Sequence, residues 1–95
     1  MDRLTSLRVF QTIGETGSFS AAAERLGLST SQVSRQVARL EDRLQSRLFY
    51  RSTRRVALTE AGQAAYARAE AIFQLGECIT QEVREAASSP VARLS

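Results

Sequence analysis

Val33, Val37, Leu40 and Leu44 recur along the chain at steps of four, three and four. That spacing lines one face of an α-helix. A similar pattern runs upstream. Leu4, Leu7, Phe10 and Ile13, with Val9 beside them, predict a first helix from about Arg3 to Thr16, with Asp2 as its N-cap. Gly14 and Gly17 weaken and then end it. The stretch "SFSAAAERLG" predicts a short second helix, capped by Ser18 or Ser20. Its three alanines favour helix and let a neighbour approach. Leu26 faces inward, and Gly27 supplies the left-handed residue after the helix. Ser29 stands three residues before Gln32, the capping-box spacing, so a third helix starts there. Only about four residues, Gly27 to Thr30, separate the second and third helices. Two helices joined by a tight Gly-containing turn, the second amphipathic, describe a helix-turn-helix.

After Leu48 the pattern shortens to two β-prone runs, "LFYR" and "VAL", with "STRR" between them. They predict a small hairpin, a wing, whose turn is longer than two residues. Thr59 is a good N-cap, Glu60 suits a first turn, and a long helix follows to about Ala87, before Pro90. About 29 residues of helix span roughly 43 Å. A 58-residue neighbour cannot cover that length. Ala65, Ala69, Ile72, Gly76, Ile79, Val83 and Ala86 follow one another at alternating steps of four and three, the spacing of a coiled coil. They are the expected dimer interface, with one strip of a monomeric core as the alternative. The fold class is therefore mainly α. Residues 1–58 make a winged helix-turn-helix of three helices and a two-stranded wing, with the helix-turn-helix at about 19–38 and the wing at about 48–58. Residues 59–87 make a linker and dimerisation helix, and 88–95 a further linker.

Charge sharpens this picture. Residues 1–58 hold ten Arg against five acids, and residues 59–95 three Arg against five Glu. Seven of the Arg, from Arg35 to Arg55, fall within 21 residues that contain only Glu41 and Asp42 as acids. Such a basic patch points to a polyanion partner, or else to a solvated surface. On a helical wheel Val37, Leu40 and Leu44 lie within about 40° of Val33. Ser31, Arg35, Ala38 and Asp42 cluster opposite. Thr30, Ser31, Gln32, Ser34 and Arg35 therefore face away from the core, where their chemistry suits a DNA major groove. Arg pairs with guanine O6 and N7, Gln with adenine N6 and N7, and Ser with bases or phosphates. Asp42 would repel a phosphate, so only the first half of the helix is expected to enter the groove. Gln32 has a plainer reading as half of the capping box. Arg51, Arg54 and Arg55 on the wing suit phosphates or a narrow minor groove.

Other functions find little support. The chain has no His, no acidic metal-ligand cluster and no Gly-rich phosphate loop, and Cys78 has no base to activate it. No enzyme, metal or cofactor is expected in this chain. A single cysteine and the lack of a long apolar run or signal-peptide core predict a soluble, reducing, cytoplasmic setting with no membrane contact.

The stretches "LRVFQTIGETGSFSAAAERLGLS", "VSRQVARLEDRL" and "LFYRSTRRVALTEAG" together resemble the N-terminal DNA-binding region of LysR-type transcriptional regulators of bacteria. The resemblance covers almost the whole chain. It implies a winged helix-turn-helix on double-stranded DNA and a linker helix that pairs in a homodimer, with a tetramer open for the full-length protein. Carried over, Ser31, Gln32, Ser34 and Arg35 are base-reading candidates, Arg51 and Arg54 wing contacts, and Ser20 a phosphate contact at the start of helix two. Many members carry Gln-Pro where this chain has Thr30-Ser31, so base preference at that contact does not transfer. Members also carry a large effector domain after the linker helix. Residues 88–95 would be the hinge toward it, and a small-molecule inducer would bind there and not here. A winged-helix module that docks another protein is the competing reading.

Overall fold

The computed structural model describes residues 3–50 and 56–88. The elements are α1 (Arg3–Thr16), α2 (Phe19–Leu26), α3 (Thr30–Leu44), β1 (Phe49–Tyr50), β2 (Ala57–Leu58) and α4 (Glu60–Ser88). The chain is 58 Å long but only 26 by 21 Å across, because α4 runs out of the helical cluster. No described helix is long and apolar enough to cross a membrane.

Local chemistry sets the boundaries. Ser18 caps α2 by accepting the Ala21 N–H at 3.2 Å. At the other end Gly27 adopts φ +69°, where a side chain is disfavoured, and its N–H closes on the carbonyls of Ala23 and Glu24. Only residues 27–29 then separate α2 from α3, one fewer than expected, because Thr30 is already helical. Ser29 and Gln32 form a complete capping box. Ser29 Oγ accepts the Gln32 N–H at 3.1 Å, and Gln32 Oε1 accepts the Ser29 N–H at 2.8 Å. Thr59 caps α4, accepting the Gly62 N–H at 2.9 Å. The expected Asp2 cap and the Pro90 stop lie outside the described residues.

The core joins Val9, Phe10 and Ile13 of α1, Ala22 and Ala23 of α2, Val33, Val37 and Leu40 of α3, and Leu48 and Phe49 at the start of the wing. The Phe49 ring lies 5.3 Å from that of Phe10 and 5.7 Å from that of Phe19. It pins the wing to the helices through an aromatic cluster. β1 and β2 are antiparallel, with Phe49 opposite Leu58 and Tyr50 opposite Ala57.

Three apolar expectations need correction. Leu4 is exposed, while Val9 is fully buried, so the buried stripe of α1 is Val9, Phe10 and Ile13 with the hydroxyl of Ser6. Leu44 is 47% exposed although Leu40, one turn earlier, is buried: α3 outruns the helices that cover it. Ala69 is 1% exposed within its own chain, and Ala65 packs on the core. Ala69 is thus closed to a partner helix, and half-buried Ala65 is partly taken up by the protomer's own core. The physical reason is that α1 already covers this part of α4. Arg8 of α1 lies 3.9 Å over the Phe73 ring, and the Phe10 and Tyr66 rings stand edge to face at 6.2 Å. A Cβ at Gly14 would strike the Tyr66 ring, so that glycine makes room for α4. Burial raises the Tyr66 pKa above its ordinary value, with Glu70 and Glu15 adding to it. A raised folded-state pKa means that the contribution of the neutral phenol is fully present below the ordinary tyrosine value and is lost as pH rises from there through the raised folded-state value. Beyond Phe73, α4 exposes Leu75, Ile79 and Val83, with Ile72 beside them.

Candidate nucleic-acid interface

The roll of α3 about its own axis decides which residues meet a partner. Val33, Val37 and Leu40 bury one face. A polar bond completes that face. Ser6 Oγ donates to Gln36 Oε1 at 2.8 Å, with both side chains buried. Burial makes this bond costly to break, so rotation of α3 against α1 is opposed. Sequence reasoning missed Gln36. Its signal was a polar residue between two inward valines, with a partner 30 residues away.

With the roll set, Thr30, Ser31, Gln32, Ser34, Arg35, Ala38, Arg39 and Asp42 are all exposed. The structure thus brings the five candidate base-reading residues onto one open surface at the start of α3. Among the described residues Arg35, Arg39 and Arg43 have no ion-pair partner, since the ion pairs there are Arg25–Glu15 and Arg47–Glu41. Gln32 departs from expectation. Its carbonyl oxygen already accepts from the cap, so a bidentate match to adenine would ask that oxygen for a second hydrogen bond. Ser20 is exposed in the first turn of α2, two residues past the Ser18 cap. Arg51, Arg54 and Arg55 lie outside the described residues.

The base of the wing is clamped from both sides. Glu41, 7% exposed, accepts the Leu48 N–H at 2.8 Å through Oε2, and the Phe49 N–H lies 3.5 Å from the same oxygen. The Arg47 guanidinium stands 4.0 Å from Oε1 and is largely in solvent, so it adds little. From the other side the Thr59 N–H donates to the Leu48 carbonyl at 3.0 Å, and Thr59 Oγ1 donates to the Arg47 carbonyl. A Cβ at Gly62 would collide with the Leu48 carbonyl oxygen. One residue, Leu48, therefore ties α3, the wing and α4 together through its N–H and its carbonyl. Sequence reasoning counted Glu41 as a surface charge. Its place on the wheel, about 80° from Val33, was the available signal.

No group of three or more His, Cys, Asp or Glu among the described residues could hold a metal. Cys78 is exposed on α4.

A family model for bacterial regulatory helix-turn-helix proteins of the lysR family matches residues 4–63. The chain is 50% identical over 66 residues to the HTH-type transcriptional activator AaeR of Escherichia coli K12, covering 70% of this chain and 21% of that one. It therefore spans about a fifth of the length of that curated relative. Solved structures are similar across the long helix as well. The DNA-binding domain of CbnR in complex with DNA superposes with a TM-score of 0.80 at 36% identity, covering 92% of this chain and 99% of that one. The BenM DNA-binding domain with catB site 1 DNA gives a TM-score of 0.86 at 30% identity, covering 94% and 98%.

Proposed function

Because the chain belongs to the LysR family of bacterial regulatory helix-turn-helix proteins, we infer that it is the sequence-specific double-stranded DNA-binding module of a transcription regulator. The observation that carries this reading is the start of α3. Its roll is held by a buried bond, and it exposes Ser31, Ser34 and Arg35, which has no ion-pair partner among the described residues, beside the small Ala38. In a major groove these side chains meet base edges, while the wing lies against backbone or minor groove. The CbnR and BenM domains, which cover nearly all of this chain, are both seen on DNA, which supports the reading. The similar AaeR is a transcriptional activator, which agrees with this reading. A salt titration on duplex DNA tests it. Each phosphate neutralised contributes about −0.9 to the log–log slope of affinity against salt. We expect a slope of several units. A flat slope would favour a protein-docking winged helix instead.

The same reading includes a homodimer through α4. The exposed residues Ile72, Leu75, Ile79 and Val83 form an apolar strip that the chain itself leaves open. A second copy covers it best, since apolar side chains on an outstanding helix gain most by pairing. Combining Ile72→Glu with Ile79→Glu should give a monomer in analytical sedimentation at concentrations where the parent chain is dimeric. A double variant that still sediments as a dimer would move the interface elsewhere.

A further inference from the structure

Gln32 divides its amide between fold and surface. Its oxygen accepts the Ser29 N–H at 2.8 Å, and only an acceptor can meet an N–H, so the cap determines which way the amide points. The Nε2 group, with two donors and no acceptor, is left on an exposed side chain. Adenine offers one acceptor and one donor in the major groove, so reading both would ask the oxygen, which already accepts from the cap, to take a second hydrogen bond in the plane the cap fixes. A phosphate oxygen asks only for a donor.

Position agrees with this chemistry. On the wheel of α3, Gln32 lies about 100° from Val33, at the flank of the outward face, and Arg39 and Arg43 fall within about 20° of it. All three are exposed, and neither Arg has an ion-pair partner among the described residues. The opposite flank presents Ser34 and Ala38, which are short. Donors are thus lined up on one side of the helix, where a groove wall would lie, and Arg35 stands between the flanks.

We propose that Gln32, Arg39 and Arg43 form a phosphate-facing rail along one flank of α3, and that Gln32 is a donor-only contact that does not read adenine. This rests on the DNA-binding reading above. The capping box holds the amide in place before DNA arrives, so no rotamer freedom is lost on binding.

Two substitutions at one position separate the roles. Gln32→Glu keeps the box, since Glu serves the same place, and suits a helix N-terminus. Gln32→Met keeps the length but loses the amide. Binding of the parent chain and both variants is measured by fluorescence anisotropy at one salt concentration, on a duplex selected from a random pool and on its scrambled counterpart. Thermal melts are recorded alongside. We expect Gln32→Glu to melt at or above the parent midpoint yet lose tenfold or more in affinity, and Gln32→Met to lose threefold or more. Each loss should be the same on both duplexes. Arg39→Ala and Arg43→Ala should each lower the log–log salt slope by about one. Parent-like affinity of Gln32→Met, or a loss confined to the selected duplex, would overturn the proposal while leaving DNA binding intact. A parent chain that binds neither duplex would overturn the DNA reading itself, and this proposal with it.

Discussion

Gly62→Ala is expected to loosen the wing and lower the melting midpoint by roughly 10 °C. In an ordinary helix the exchange would stabilise by about 1 kcal/mol, since alanine is the better helix former. Here the added methyl meets the Leu48 carbonyl oxygen, which is backbone and cannot rotate away. That carbonyl also accepts the Thr59 N–H, and the Leu48 N–H is held by Glu41. Relief by moving Leu48 therefore breaks contacts to α3, and relief by moving α4 breaks the bonds of Thr59 to Leu48 and Arg47. Overpacking of this kind costs about 1–3 kcal/mol, which outweighs the propensity gain. For a domain of this size each kcal/mol is worth about 4–8 °C. Thermal unfolding followed by circular dichroism checks it. A midpoint equal to the parent's, or above it, would mean that the backbone at Leu48 is not clamped.

How much of this was legible in the sequence depends on how far each contact reaches. The Ser29–Gln32 box, the Gly27 stop and the Thr59 cap are bonds between residues at most a few positions apart, and spacing revealed them. The helix-turn-helix followed from those signals and one apolar face. Gln36 and Glu41 were not legible. Their partners lie 30 and seven residues away, so each polar side chain on or near a buried face looked like a surface residue. The seam of α4 was read as one uniform strip. Its regular spacing concealed a division that only the packing of α1 creates: Ala69 is buried in the protomer with Ala65 half-buried beside its core, while Leu75, outside the strict four-three pattern, is among the most exposed apolar residues. For the candidate site, the outward face of α3 followed from periodicity. The commitment of the Gln32 oxygen did not, because the same residue type in the same place serves a cap or a base equally well.

If α3 reads base identity, Arg35 is the residue whose loss shows it most directly. Arg35 points away from Val33, Val37 and Leu40, has no ion-pair partner among the described residues, and is flanked by Ser31, Ser34 and Ala38, which let the backbone approach. A bidentate contact to guanine is worth about 1–3 kcal/mol of discrimination, or roughly ten- to a hundredfold. Lys should substitute poorly for it, lacking the planar fork. The measurement is the affinity of the parent chain and of Arg35→Ala for a duplex selected from a random pool and for the same duplex scrambled, at one fixed salt concentration. The predicted result is a ten- to a hundredfold loss on the selected duplex and a far smaller one on the scrambled duplex, where only one charge of a large cluster is missing. Equal losses on the two would contradict the account, leaving Arg35 on a phosphate and the reading of bases to other residues.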